Sequence, residues 1–255
     1  MIFAINVGNT VTSFGTASSS GSIRMFRMPT VDTKTDLELM MDFSAFLEAE
    51  RIDPEDIEGT VLSCVVPPLK DVLVRAMTRL FKKEPLIVDA SCADAFSIGL
   101  KEKTELGANL IALSTALVTE YGTPAILINV GTATSFGVID KDSVYRGGVL
   151  YPGMQDALDA LISKTSLPPL SVDAVLPLSG KNTFDSIGAG VLYGHAGAVD
   201  RILDELLKEV PDAVIVASGL RGKLLTSVLK HDVIYDAALV LKGLFEIYRR
   251  KEDIR

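Results

Sequence analysis

The chain has 255 residues, 48% of them hydrophobic, with a formal net charge of -8 and a pI near 4.9. That apolar content suffices for a buried core and argues against wholesale disorder. The acidic balance disfavours nucleic acid and anionic membrane as partners, and no window of about 18 apolar residues runs without polar interruption.

Residues 1–7 are apolar and β-prone, and stop at Gly8-Asn9-Thr10. Residues 11–16 read as a second strand, Ser18-Ser19-Ser20-Gly21 as a hairpin turn, and 23–28 as a third strand ended by Pro29. The spacing of Leu37, Met40, Met41, Phe43, Phe46 and Leu47 predicts a helix over 37–50. A continuous apolar run over 60–66 predicts a strand covered on both faces, ended by Pro67-Pro68 and followed by an amphipathic helix over 69–81. Residues 86–88 read as another buried strand and 107–121 as a buried helix.

The same grammar then restarts. An apolar strand over 125–129 stops at Gly131, and a second strand over 134–139 turns at 140–143 into a third over 145–150. Pro152-Gly153 precedes a helix over 155–164, and 186–208 reads as a long helix carrying Gly188, Gly190, Gly194 and Gly197. A strand over 213–217 ends at Ser218-Gly219, and 237–250 is the last helix.

Ile5-Asn6-Val7-Gly8-Asn9-Thr10-Val11-Thr12-Ser13-Phe14-Gly15 matches Ile128-Asn129-Val130-Gly131-Thr132-Ala133-Thr134-Ser135-Phe136-Gly137 at the first four and last four residues, with one residue deleted between. With the restarted strand order, this predicts a duplicated α/β unit. The domains are expected at 1–117 and 118–255, with the last helix, 237–250, able to pack back on the first. No linker rich in Pro, Gly or Ser divides them, which predicts close packing around a cleft.

Each copy runs strand, Gly, small hydroxylated residues, returning strand. A Gly at the turn lets backbone approach a ligand, and successive N–H groups there form a concave anion site. Thr10, Thr132 and Thr134 add hydroxyls. Two such turns across a cleft suit the phosphates of one nucleotide; a plain hairpin with a Gly bulge is the alternative. Ser218-Gly219 after its strand adds backbone amides where α/β folds bind ligands. Cys64 and Cys92 are the only cysteines; with only His195 and His231 they make neither a disulfide framework nor a zinc set, and they read as inert thiols. The N-terminus lacks the basic stretch of an export signal. Together these features suggest a cytoplasmic protein.

The chain resembles the type III pantothenate kinases of the acetate-kinase, sugar-kinase, Hsc70 and actin superfamily. The resemblance runs from Met1 to about Tyr248. It is carried by Gly8-Asn9-Thr10, Ser63-Cys64-Val65-Val66-Pro67-Pro68, Gly107-Ala108, Gly131-Thr132-Ala133-Thr134, Gly147-Gly148 with Pro152-Gly153, Gly180-Lys181-Asn182-Thr183 and Ser218-Gly219. It implies two RNase H-like, actin-like ATPase domains, a homodimer, and ATP-dependent phosphorylation of pantothenate at the first step of coenzyme A synthesis. Mg2+ and a monovalent cation such as K+ are implied cofactors. On this resemblance Gly8, Asn9, Thr10, Gly131, Thr132, Ala133, Thr134, Ser218 and Gly219 take the nucleotide phosphates. Gly107, Ala108, Leu110, Tyr151 and Thr183 fall at the small-molecule substrate; Tyr151 either lines the pocket or only packs, and Thr183 either meets substrate or caps a helix. His195 reads as a packed or interface residue, and Gly194 and Gly197 as a dimer seam or ordinary helix packing.

Five positions depart from the family pattern. Asp is usual where this chain has Asn6 and Asn129, the metal positions. The Gly-x-Asp-Arg motif, which supplies the catalytic base and a substrate-binding Arg, reads Gly107-Ala108-Asn109-Leu110. Gly137 stands where Asp is frequent. Asn109 accepts no proton at neutral pH, and a positioned base is worth about 10²–10⁴-fold. Leu110 lacks the paired hydrogen bonds that Arg gives a carboxylate. Asp140 or Glu105 as base, and Lys101, Lys103 or Arg146 as cation, are candidate substitutes, each otherwise a solvated charge. The alternatives are a catalytically degenerate nucleotide-binding paralogue acting as a regulatory or dimerising partner, and a kinase for a different small acceptor.

Overall fold

The structure, a computed structural model, describes residues 1–18, 21–165 and 170–253. Ser19 and Ser20 of the expected turn lie outside the described residues. In chain order the elements are β1 (Ile2–Val7), β2 (Val11–Ala17), β3 (Ile23–Pro29), α1 (Asp36–Ala49), β4 (Gly59–Cys64), α2 (Pro67–Phe81), β5 (Leu86–Ile87), β6 (Ser97–Ile98), α3 (Ala108–Tyr121), β7 (Ala125–Val130), β8 (Ala133–Ile139), β9 (Val144–Pro152), α4 (Met154–Ser163), α5 (Thr183–Glu209), β10 (Val214–Ser218), α6 (Gly222–Thr226), β11 (Ile234–Tyr235) and α7 (Leu239–Asp253). They fall into two compact units: Met1–Thr119 with the chain from Ala238 onward, and Glu120–Ala237.

In the first unit the strand order is β3-β2-β1-β4-β5. Strand β2 is antiparallel to β1 and β3, while β4 is parallel to β1 and β5. One face carries α1 and α2 over a core of Phe3, Phe14, Phe43, Phe46 and Phe81. The ring centroids of Phe3 and Phe81 are 4.8 Å apart, and Phe14 meets Phe46 edge-on at 5.3 Å, geometries that add to simple area burial. Helix α7 packs on β1 and β4 through elements that bury Leu241, Leu244, Phe245 and Ile247. Cover on both faces explains why β1 and β4 are continuous apolar runs rather than alternating ones. Gly243 of α7 lies so close to α3 that an added Cβ would sit 1.7 Å from the Ala112 carbonyl oxygen.

The second unit repeats the arrangement. Strands β11-β10-β7-β8-β9 lie side by side in that order, so β7, β8, β9, β10 and β11 answer to β1, β2, β3, β4 and β5. The repeat also holds in register: Ile5, Asn6 and Val7 face Phe14, Ser13 and Thr12, and Ile128, Asn129 and Val130 face Phe136, Ser135 and Thr134. The deleted residue is absorbed in the turn, where the Gly8 N–H reaches the Val11 carbonyl but the Gly131 N–H reaches the Ala133 carbonyl. The parallel neighbours correspond too, Asn6 beside Ser63 and Asn129 beside Ser218. The core of this unit packs Ile126, Ile128, Phe136 and Val138 on Ala196, Val199 and Leu203 of α5.

Three boundaries differ from the expected ones for local reasons. Strand β4 stops at Cys64, and α2 begins on Pro67 itself, because the first turn of a helix tolerates the missing N–H and uses proline's fixed φ. Helix α5 starts at Thr183 rather than 186: the Asn182 side chain accepts from the Asp185 N–H and caps it. Thr183 is therefore the first helical residue, not the cap.

Candidate functional site

In the second unit the sequence-predicted loop residues converge at the C-terminal ends of β7 and β10. Gly131, Thr132 and Ala133 are exposed and Thr134 is buried. Gly153 closes over this turn: its N–H donates to the Thr132 carbonyl at 3.0 Å, and an added Cβ would lie 2.2 Å from that oxygen and 2.5 Å from the Gly131 oxygen. From the other side comes Gly219, at φ +100, where an added Cβ would fall 2.3 Å from the Val130 carbonyl oxygen. Only glycine meets both the backbone angle and the approach. Tyr235 Oη donates to the Gly219 carbonyl at 3.1 Å and Ser218 Oγ to the Asp236 carbonyl at 2.7 Å, which fixes the β10 end. The loops so joined are small, neutral and rich in backbone polar groups.

Thr134 is held from behind. Its Oγ1 lies 2.9 Å from Nε2 of the buried His195, and the Tyr151 ring packs on the imidazole with centroids 5.2 Å apart. Burial drives the His195 pKa down to about 4, so the ring is neutral at pH 7. Tyr151 thus packs inside the unit beside the loop.

In the first unit, Asn6, Ser63 and Gly107 gather at the equivalent sheet edge. Ser63 Oγ donates to Asn6 Oδ1 at 2.9 Å, and the Val65 N–H donates to the Val7 carbonyl at 3.1 Å. An added Cβ on Gly107 would come within 4.0 Å of a Val65 methyl and 2.9 Å of Asn109 Oδ1. Asn109 thus folds back over the start of α3; Ala108, Asn109 and Leu110 are all half-buried. Asn9 and Thr10 are exposed. The Gly8 carbonyl accepts from Thr30 Oγ1 at 2.8 Å, and the Thr30 N–H donates to the Thr10 carbonyl at 2.9 Å. Thr30 organises this loop, and nothing in the sequence beyond its place after Pro29 signals it.

The candidate substitute charges are accounted for differently. Asp140 ends β8 at the pole opposite Thr134. The Val144 N–H and then Arg146 hold its carboxyl below the usual carboxylate range, and it pairs with Arg146. Both serve the β8–β9 turn rather than the loop. Lys101, Lys103 and Glu105 are exposed. Thr183 lines an open depression of about 710 Å³ with Leu161, Lys181, Asn182, Ser186 and Ile187, separate from the 131–133 loop in its lining. Burial pushes the Cys64 thiol up, which keeps it protonated and poorly nucleophilic.

The family model for type III pantothenate kinase matches residues 2–205. A type III pantothenate kinase of Persephonella marina is 32% identical over 250 residues, covering 97% of this chain and 98% of the relative. The chain belongs to the type III pantothenate kinase family. A second type III pantothenate kinase, from Listeria monocytogenes, is 34% identical over 254 residues, covering 99% of this chain and 98% of its own. Among solved structures, a Listeria monocytogenes protein described as an N-acetylmannosamine kinase superposes with a TM-score of 0.55 at 12% identity, covering 98% of this chain and 99% of its own. That likeness carries the fold alone: two duplicated actin-like domains.

Type III pantothenate kinases use ATP with a divalent metal, and the residues present fit the two groups unequally. The glycine-lined loop 131–133 with Gly153 and Gly219 fits a polyphosphate, which backbone amides and small side chains recognise. A protein-held divalent cation does not fit. Among the described residues no three of His, Cys, Asp or Glu are grouped as ligands. Asn6 spends its carbonyl oxygen on Ser63, and an amide lacks the charge a carboxylate offers a hard cation.

Proposed function

We propose that the chain binds ATP with the second unit's 131–133 loop and transfers its γ-phosphoryl group to pantothenate, much more slowly than a family member with a full set of carboxylates. Membership of the family supports the acceptor and the donor. The observation that carries the reading is the glycine-closed loop, where an added Cβ on Gly153 or Gly219 would lie under 3 Å from the backbone of Thr132, Gly131 or Val130. Thr132 is its hydroxyl-bearing member, the buried Thr134 backs it through His195, and Ser218 holds the neighbouring strand end. Slowness follows from Asn109, which cannot take the acceptor's proton, and from Leu110, which cannot pair with a carboxylate. Phosphoryl transfer depends on positioning and electrostatics, so the loop alone leaves measurable turnover.

The purified protein with ATP, Mg2+, K+ and pantothenate is expected to form phosphopantothenate above a no-enzyme control. Omitting K+ tests the monovalent cation that the family implies. Gly194 and Gly197, where an added Cβ meets no atom within 4 Å, leave a face of α5 suited to a second copy, and light scattering tests for a homodimer. No helix among the described residues is long and apolar enough to cross a membrane, which accords with a cytoplasmic metabolic role in coenzyme A synthesis. A second reading, a nucleotide-binding partner without turnover, is favoured by Asn6, Asn109, Leu110 and Asn129 all falling on the family's functional positions. Calorimetric binding of ATP with no product would support it.

A further inference from the structure

We infer that this chain binds the free nucleotide polyanion as well as its metal complex, so that nucleotide binding needs no divalent cation. The inference rests on the reading of the 131–133 loop as the phosphate cradle. The described residues placed at that loop, Asn129, Gly131, Thr132, Ala133, Gly153 and Gly219, are neutral. Asn129 stands level with Ser135 on one side and Ser218 on the other. Its amide nitrogen is the nearest side-chain atom to the Cβ position of Gly131, at 4.0 Å. A hydrogen-bond donor therefore faces the turn. Gly153 and Gly219 complete the rim without charge.

Two acids of the unit, Asp236 beside the β10 end and Asp140, are engaged elsewhere. The Asp236 N–H donates to the Ala217 carbonyl at 2.9 Å, and its carboxylate accepts from Tyr121 Oη at 2.9 Å. Asp140 pairs with Arg146 at the far end of β8.

The electrostatics follow directly. A carboxylate beside a triphosphate repels it, and a divalent cation is needed to offset both charges before the nucleotide can settle. An amide in the same place removes the repulsion and adds N–H donors to phosphate oxygen. The cation then ceases to be a condition of binding, although it still travels with the nucleotide in the cell.

The test is isothermal titration of the intact protein with ATP, once in EDTA and once in excess Mg2+. The expected dissociation constants agree within about threefold, well under the tenfold that 1.4 kcal/mol represents. Asn129→Asp is expected to weaken binding in EDTA by about tenfold or more and to restore dependence on Mg2+. Asn129→Ser, which stays neutral, is expected to keep the two constants together, so the contrast survives if the Asp variant folds poorly. Binding by the unaltered protein that is lost, or weakened more than about tenfold, in EDTA overturns the inference alone. A ratio in Asn129→Asp no different from that of the unaltered protein also overturns it. No binding in either buffer overturns the phosphate cradle, and the inference with it.

Discussion

Replacing Gly153 by alanine adds one methyl group at the tightest point of the candidate cradle. The backbone at Gly153 has φ -67 and ψ 157, so alanine is conformationally allowed and any effect is steric. The new Cβ would lie 2.2 Å from the Thr132 carbonyl oxygen and 2.5 Å from that of Gly131. Carbon and carbonyl oxygen ordinarily approach no closer than about 3.3 Å, so the turn must retreat by roughly 1 Å. Both obstacles are backbone, and no rotamer change relieves them. Overpacking of this kind costs about 1–3 kcal/mol. Loss of the Gly153 N–H bond to Thr132, 3.0 Å in the native turn, adds about 1 kcal/mol. Displacing one backbone contact to phosphate removes a charged hydrogen bond worth about 1.5–3 kcal/mol, so ATP affinity is expected to fall by about tenfold or more. Thermal unfolding and calorimetric titration of the same preparation check the two effects. A variant that melts earlier yet binds ATP within about twofold of the unaltered protein would refute the assignment of phosphates to this turn.

Three further outcomes are expected. The His195 pKa is lowered from 6.5 to about 4, so the native state favours the neutral ring; its contribution is complete above about pH 6.5 and is lost as pH falls through 4. The loss approaches roughly 3 kcal/mol, and urea unfolding at pH 7.5, 5.5 and 4.5 should show a drop that His195→Gln lacks; equal pH slopes would contradict it. Asn109→Asp with Leu110→Arg, or the fourfold variant that adds Asn6→Asp and Asn129→Asp, should raise pantothenate turnover. A folded, ATP-binding fourfold variant that stays inert would show the site to be mapped wrongly. Gly243→Ala, whose Cβ would lie 1.7 Å from the Ala112 carbonyl oxygen, should lose soluble protein or melt far earlier. Gly190→Ala, with no atom within 4 Å, should be neutral or stabilise α5 by up to about 1 kcal/mol; similar melting of the two would remove the packing argument.

Much of the architecture was legible because apolar runs and punctuation agreed. The Ile-Asn-Val-Gly repeat announced two hairpins, and their registers coincide residue for residue, with the missing residue taken up in the turn. Register follows the side-chain alternation, which the matched Ile, Val and Phe positions impose on both copies. The short elements carry no signal: β11 has two residues and α6 five, too few to show a period. Helix α5 begins before its apolar period does, because the Asn182 side chain caps it through the Asp185 N–H. At the candidate site, glycines signalled close approach, but which backbone each one approaches depends on neighbours remote in sequence, as Gly153 does on Thr132. Thr30 and the Thr134–His195 pair were hidden for the same reason: a hydroxyl or imidazole reveals its partner only once the strands are laid side by side.

Asn6 and Asn129 belong to the repeat that identifies the fold, and as amides they carry no charge toward a metal or a phosphate. The most direct measurement is phosphopantothenate formation by the unaltered protein, assayed beside the Persephonella marina relative under identical ATP, Mg2+ and K+. Product is expected above the no-enzyme control at a rate about 10²–10⁴-fold below the relative, the span of a missing positioned base. A rate matching the relative would contradict the role given to Asn109 and Leu110, and no product at all would contradict the proposed kinase activity.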